Sequence, residues 1–453
     1  MTKFTNRQFT LAILILLLAT GLRFYLLDNQ SFWNDEGNTA RLSERTIPLI
    51  IEGTASDIHP PLYYLILRGW RELIGETEFA LRAFSAFIGV LLVAVTITFG
   101  RRWDTPRTGL IAGLLTAVSP PLIYYSQEAR MYSLLGLFSV LSTWLYFEWL
   151  HAQKPSRLLT AAYILTLTVG LYTHYFFPAI IVVHNLHFAF TLLADGYKTV
   201  TGVRNSAVAG VPTEPPLSQL QKAIFNQRIG RWTLTMLAAL ALYAPWLPIF
   251  IRNTGSGAGA NFSFSFLWEA FIWLFSGPIT LPTFAPLIAT VFLLFSFKRE
   301  SQLLWLWLLL PILFMMLFGS TGAQYLKFLT AVAPALALLL AIRITTFWEL
   351  RLRGNKNTII QTVGYTLAAV LLLPLLYSTT ITLNNLYHNP QYFRDDYRAI
   401  ATQITQQAPP DAGIILNAPN QWEVFTYYYD GDAEVYPFPQ TNSSAAEITP
   451  QLA

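Results

Sequence analysis

A chain of helices threaded many times through a membrane is the fold class predicted here, and three observations predict it. Hydrophobic residues make up 54% of the 453 and charged residues only 12%, where a soluble domain carries about 25% charged. Mean hydropathy is +0.43, and apolar runs close to the roughly 20 residues that cross a bilayer as a helix recur along the chain. Basic residues gather in alternate loops, which fixes an orientation. A single anchor on a soluble domain is excluded, because the apolar runs are the body of the chain. With no cysteine, disulfides, cysteine-held zinc and thiol nucleophiles are excluded too. The pI near 9.1 does not point to nucleic acid once the basic residues are located along the chain.

The first span is 9–27. Lys3 and Arg7 precede it and no small-residue cleavage site follows, so a retained anchor with a cytoplasmic N-terminus is expected. An outer loop, 28–78, comes next. It holds nine acids, and its apolar stretch 62–74 is short and interrupted by Arg68 and Arg71, which suits a helix lying in the interface. Ten further spans are expected at 79–100, 109–126, 133–150, 158–173, 175–194, 232–251, 284–297, 302–319, 326–345 and 359–378, giving about eleven. The segment 264–280, aromatic and carrying Glu269, is expected as a second interfacial helix, because counting it as a span would invert every later loop. The loops at 101–108, 151–157, 195–231, 298–301 and 346–358 then face the cytoplasm and, with the N-terminus, hold 17 of the 29 Lys and Arg residues. The opposite side receives 19 of the 25 acids, in keeping with the positive-inside rule.

The connector 195–231 contains Gly, Pro and Ser without a clear period and is read as flexible. An odd number of spans leaves 390–453 outside as a small α/β region, with a helix at 397–407, a strand at 413–417 and an aromatic stretch at 422–429. Residues 1–389 form the membrane domain.

Ionisable residues at a membrane edge are functional candidates, because burying one unpaired costs several kcal/mol. On this threading they fall at one edge. Asp35 and Glu36 lie in Phe32-Trp33-Asn34-Asp35-Glu36-Gly37-Asn38, His59 in Asp57-Ile58-His59-Pro60-Pro61-Leu62-Tyr63-Tyr64, and Arg82 at the outer start of the second span. Gln127-Glu128-Ala129-Arg130-Met131-Tyr132 joins the third and fourth spans, His174 and Tyr175 the fifth and sixth, and Tyr325-Leu326-Lys327 precedes the tenth. Each has an ordinary reading: acids at a helix N-terminus for Asp35 and Glu36, loop residues for His59 and His174, snorkelling for Arg82 and Lys327, a mutual pair for Glu128 and Arg130. Five segments delivering carboxylates, imidazoles and cations to one face are less ordinary than any one of them.

A phosphate-linked donor bound at such an edge would need cations for its phosphate, and that leaving group needs charge neutralisation rather than a proton donor. An acceptor hydroxyl or amine would need one carboxylate base. Hydrolysis of an ordinary glycosidic bond would instead need two separated carboxyls. Adjacent acids on one backbone point different ways, so Asp35 and Glu36 fit one base and one orienting partner.

Trp33-Asn34-Asp35-Glu36 after the first span, His59-Pro60-Pro61-Leu62-Tyr63-Tyr64, Arg82, Ser126-Gln127-Glu128-Ala129-Arg130-Met131-Tyr132 and the stretch from Tyr325 to Leu340 together resemble the polyprenyl-phosphate-dependent integral-membrane glycosyltransferases of the GT-C fold. That family includes the protein O-mannosyltransferases and the lipid A aminoarabinose transferases, and the resemblance covers roughly 9–390. It implies that Asp35 is the base that activates the acceptor and that cations meet the donor phosphate. His59, Arg82, Glu128, Arg130, His174, Tyr325 and Lys327 are the binding candidates. Two departures stand out: Gly37-Asn38-Thr39 follows the acid pair where the aminoarabinose enzymes tend to have Ala-Arg-Tyr, and His59 stands where they have Lys. Neutralising phosphate requires a protonated His59, with Asp57 raising its pKa. Gln324-Tyr325-Leu326-Lys327 replaces the usual Arg-Tyr, which leaves Lys327 as the cation.

The function expected is an inverting transfer of one sugar from a polyprenyl phosphate to a glycan, lipid or protein acceptor at the outer face of the cytoplasmic membrane. Membrane lipids surround it and no nucleic acid is involved. Asp35, Glu36 and His59 have donor atoms suited to a divalent ion, but the mannosyltransferase-like relatives manage without one, so neither metal nor other cofactor is expected. A transporter or lipid-linked-sugar flippase is the alternative; it would place ionisable residues halfway along spans and break helices in paired positions. A purely structural assembly subunit would have no use for the acid pair.

Overall fold

The computed structural model describes residues 4–208, 215–255, 259–279, 288–289, 301–349, 358–409 and 411–438. Among them the chain is almost wholly helical, with one pair of short strands. Helix α1 (Asn6–Phe24) begins at a capping box: the Thr5 hydroxyl accepts from the Gln8 amide and the Gln8 side chain accepts from Thr5 N–H, satisfying two donors the first turn leaves open. Its Leu14 and Leu17 are more than half exposed, as suits a helix surrounded by hydrocarbon. The loop 28–78 folds into three helices, α2 (Asn34–Glu44), α3 (Ile47–Ala55) and α4 (Leu62–Ile74).

Helices α5 (Glu78–Trp103), α6 (Pro106–Ala117), α7 (Pro120–Tyr124), α8 (Tyr132–His151) and α9 (Arg157–Thr173) follow, with α5 packed between α1, α6 and α8. Its contact with α6 is backbone to backbone: a Cβ on Gly100 would lie 2.9 Å from the Gly109 Cα, so only small residues fit there. The bundle continues through α10 (Pro178–Val208), α11 (Pro215–Tyr243), α12 (Leu247–Thr254), α13 (Phe264–Ser276), α14 (Gln302–Leu317), a 3₁₀ segment (Ala323–Ala331), α15 (Ala333–Glu349) and α16 (Thr358–His388).

Among the described residues, four helices are long and apolar enough to cross a membrane: Asn6–Phe24, Glu78–Trp103, Tyr132–His151 and Thr362–His388. Two more pass only as bent pairs, Gln227–Tyr243 with Leu247–Thr254 at 82° and Ala323–Ala331 with Ala333–Trp348 at 58°. Pro245 lies in the first break and Pro334 just beyond the second, where a missing N–H and a ring clash interrupt the ladder. Arg157–Thr173, Pro178–Ala194, Phe264–Ser276 and Gln302–Leu317 are apolar but shorter. Length and composition therefore do not by themselves establish eleven spans.

Two expectations are altered. The span expected at 109–126 is broken into α6 and α7 where Pro120 and Pro121 start a new helix. The connector expected to be flexible at 195–231 is helical through Val208 and again from Pro215, since prolines are tolerated in a first turn and the Leu, Gln, Lys and Ala residues after Pro216 favour helix. The span at 284–297 falls outside the described residues, apart from 288 and 289. The interfacial assignments at 62–74 and 264–280 coincide with α4 and α13.

Beyond α16 lie α17 (Tyr397–Gln407), β1 (Gly413–Leu416), α18 (Trp422–Tyr428) and β2 (Glu434–Pro437), the strands pairing in parallel with Gly413 opposite Glu434. This region packs on α2 rather than standing apart. At the contact, a Cβ on Gly37 would fall 2.3 Å from the Val424 Cβ, so the approach of α18 requires glycine there.

Candidate active site

Helix α2 presents the two adjacent acids to different surroundings. Glu36 is completely buried. Its Oε1 accepts from Arg82 Nε at 2.8 Å and from the Ala129 amide at 2.8 Å; its Oε2 accepts from Arg82 Nη2 at 2.7 Å and Arg394 Nη1 at 3.0 Å. Burial opposes its ionisation, yet Arg82, Arg394 and the Ala129 N–H together hold the carboxyl below its ordinary value. Arg82 is as fully engaged: besides Glu36 it donates to the carbonyls of Leu27, Gln30 and Ser31. A guanidinium has five N–H groups and a carboxylate about four acceptor sites, so neither side chain has one left.

Asp35, a neighbour in sequence, is partly open, its side chain 26% exposed. Its Oδ2 lies 3.4 Å from Lys327 Nζ and 3.6 Å from Arg130 Nη2. Burial raises its pKa, but the Arg130 guanidinium and the Lys327 ammonium outweigh that and leave it lowered. Arg130, 3% exposed, also donates to the Asp35 carbonyl, to Thr39 Oγ1 and to the Tyr64 hydroxyl. Lys327 sits over the rings of Trp33 and Tyr132, 5.7 and 5.2 Å from their centroids.

His59 sits between Arg130 and Asp57. Its Nε2 is 3.2 Å from Arg130 Nη2 and must accept there, because the guanidinium has no lone pair; its Nδ1–H then donates to Asp57 Oδ2 at 3.4 Å. Burial and Arg130 lower its pKa more than Asp57 raises it. The protonated His59 expected from the sequence is thus replaced by a neutral ring. His174 packs against His59 and Tyr132; its Nδ1 accepts from the Phe176 amide, so its Nε2 carries the hydrogen. Burial and the nearby His59 and Arg130 drive its pKa well down.

Two donors near Asp35 are buried without a formed hydrogen bond, His174 Nε2 and Arg130 Nε, and the Tyr132 hydroxyl lies beside Arg130 and Lys327 as an acceptor for both cations. Buried donors are ordinarily satisfied. With the Lys327 ammonium, they are donors chemically able to meet anionic oxygens.

Glu128 does not pair with Arg130 as its ordinary reading would have it. It receives Arg394 Nη2 at 2.9 Å on Oε1 while Oε2 has no partner, and burial, against the pull of Arg394, pushes it up to about 7. Tyr325 packs its ring on Phe328, and no polar contact brings its hydroxyl to the cluster. Arg394 is the residue that sequence reasoning misses: it reaches in from the C-terminal region and also stacks on Tyr124. Phe393-Arg394-Asp395-Asp396 looks like a solvated charge run, and nothing local marks its partner. Among the described residues no group of three or more His, Asp or Glu side chains is arranged to hold a metal; Glu36 in particular has no lone pair left to offer.

Comparison with known proteins matches this chain to the sequence family described as dolichyl-phosphate-mannose-protein mannosyltransferase over residues 58–211. In structure it is similar to ArnT from Cupriavidus metallidurans, TM-score 0.58 at 14% identity, over 94% of this chain and 86% of that one. The same protein bound to undecaprenyl phosphate gives 0.57 at 15% identity, over the same shares. The resemblance to the polyprenyl-phosphate-dependent membrane glycosyltransferases holds. The archaeal oligosaccharyltransferase AglB from Archaeoglobus fulgidus, in complex with an inhibitory peptide and a dolichol-phosphate, shares the fold with TM-score 0.54 at 15% identity, over 97% of this chain and 61% of that one. No curated protein matches the sequence. The fold is therefore GT-C, and the structural neighbours are glycosyltransferases.

Proposed function

We propose that the chain is an inverting glycosyltransferase that takes a sugar from a polyprenyl phosphate at the outer face of the cytoplasmic membrane. The observation that carries this is the contrast at α2: Glu36 has no bonding capacity left, whereas Asp35 is partly open beside Lys327, Arg130 and a set of unpaired donors. In the transfer, the acceptor oxygen or amine forms a bond to the anomeric carbon as the bond from that carbon to the phosphate oxygen breaks. The electron pair leaves with the polyprenyl phosphate, and the acceptor proton passes to Asp35 and then to water. Single displacement inverts the anomeric centre. Lys327, the Tyr132 hydroxyl and the His174 Nε2–H meet the phosphate oxygens, while neutral His59 orients Arg130 instead of acting as a cation.

A base held below its ordinary pKa is weak, and the donor corrects this. A phosphate drawing Lys327 and Arg130 toward itself relieves their hold on Asp35, so the donor binds before the acceptor is activated. The flippase alternative could draw on the two bent helix pairs, but the charged residues cluster at helix ends rather than midway along spans. No divalent ion is part of the proposal, and turnover insensitive to chelators is expected.

Asp35→Asn tests the assignment. It keeps size and helix-start preference while removing basicity, so transfer from polyprenyl-phosphate sugars in nanodiscs should fall by about 10²–10⁴-fold with donor affinity retained. Wild-type transfer by a folded Asp35→Asn protein would end the catalytic role. Failure of the wild type to release polyprenyl phosphate from any donor would favour the flippase.

A further inference from the structure

One more cavity borders α2. It encloses about 550 Å³ between Asn38 and Leu42 of α2, Gly53 and Asp57 at the end of α3, and Asn420, Trp422, Glu423 and Pro437 of the C-terminal region. That is within the roughly 300–1,000 Å³ of small-molecule sites. We infer that this groove binds a neutral glycan and serves as the acceptor subsite; the inference rests on the transferase reading above.

Its walls have the chemistry of sugar recognition. Trp422 is 37% exposed, an indole face available for the C–H side of a sugar ring. Asn38 and Asn420 offer paired donors and acceptors for hydroxyls, and the Asn38 Oδ1 is buried without a partner. Charge narrows the class: Arg45 is tied to Glu423 at 2.7 Å, while the Asp57 side chain remains 44% exposed. The lining therefore carries no unpaired cation, and its exposed carboxylate, Asp57, is hydrogen-bonded to the neutral His59 and the Ile58 amide with its charge uncompensated, which disfavours a phosphorylated or acidic acceptor.

The groove also connects to the reacting centre. Asn38 lies one helical turn beyond Asp35, and Asp57 holds the His59 that holds Arg130 beside Asp35. A glycan seated on Trp422 would lie one helical turn from the base, with His59 and Arg130 between them, and the C-terminal region would supply the acceptor wall.

The experiment measures binding of neutral oligosaccharides (maltotriose, mannotriose, arabinotriose) and of Ser/Thr-containing peptides to the full chain in nanodiscs, for wild type, Trp422→Ala, Trp422→Phe and Asn420→Ala. At least one oligosaccharide should bind wild type. Trp422→Ala should weaken it by about tenfold, equivalent to the loss of one stacking contact, with Trp422→Phe losing less and affinity for polyprenyl phosphate unchanged in all. Binding of peptides but not oligosaccharides, binding of neither, or equal glycan affinity in wild type, Trp422→Ala and the exposed-site variant Asn420→Ala would overturn the inference. Release of polyprenyl phosphate by the same samples separates the two readings: release without glycan binding overturns the groove and leaves the transferase standing.

Discussion

Asp35 and Glu36 share one turn of one helix, yet their neighbourhoods are opposites. The Glu36 side is a closed set of hydrogen bonds, with five guanidinium donors and four carboxylate sites matched. The Asp35 side has unmatched donors, a lysine 3.4 Å from the carboxylate and over the Trp33 and Tyr132 rings, and partial access to solvent. A satisfied buried network rigidifies its surroundings; an unsatisfied one waits for a ligand. Adjacency of two acids in sequence therefore does not imply a common role, since one is bonded at every acceptor site while the other is left partly open.

The largest effect expected from breaking this contrast is on the closed side. Arg82→Ala removes the main counter-charge of a fully buried carboxylate, and loss of one partner of such a pair typically costs about 3–5 kcal/mol. Yield of folded protein and the thermal midpoint in detergent should collapse; a stable Arg82→Ala protein would show that Glu36 is no anchor. Asp35→Asn, which removes a partly exposed carboxylate from beside Arg130 and Lys327, should lower that midpoint by less.

On the open side, Lys327→Ala should weaken donor binding. A hydrogen bond to a charged group is worth about 1.5–3 kcal/mol, so titration with polyprenyl phosphate should show roughly a tenfold to hundredfold rise in Kd. Lys327→Arg should recover part of it, since phosphate accepts either cation. Unchanged affinity in Lys327→Ala would move the phosphate elsewhere.

The smallest effect sharpens the boundary between the two sides, where Glu128 titrates. Its folded pKa, about 7, lies above the ordinary 4.5, so the folded state binds the extra proton. Its contribution to stability is full below about pH 4.5 and is lost as pH rises through 7. His59 and His174, both lowered, act oppositely below 6.5, so the readout is the difference between wild type and Glu128→Gln. Relative to Glu128→Gln, the wild type should lose on the order of 2 kcal/mol between pH 5 and pH 8. A difference independent of pH would mean that Arg394 keeps Glu128 ionised throughout.

Much of this was legible in the sequence because its signals are local. The acid pair, the His-Pro-Pro-Leu-Tyr-Tyr motif and Lys327 sit in short segments whose spacing from apolar runs brings them to one set of helix ends, and the structure gathers Asp35, His59, Arg130, His174 and Lys327 together there. What escaped depended on distant partners. Arg394 reaches Glu36 across 358 positions, and the charge state of His59 follows from Arg130 beside it, which no pattern around Asp57 could reveal. Boundaries failed for another reason: Pro120, Pro245 and Pro334 interrupt apolar runs whose hydropathy alone looks continuous.

The Arg394 contact also orders events during synthesis. Arg82 and Glu36 are translated early, but the second guanidinium and the α18 helix that settles against Gly37 emerge only after α16 has been made. Until then Glu36 and Glu128 are without Arg394, and the groove lined by Trp422 lacks the wall that the C-terminal region supplies. Under the proposed transferase reading, the site around α2 is complete only once this last segment has been made and has docked, so a ribosome-bound or C-terminally clipped chain is expected to lack transfer.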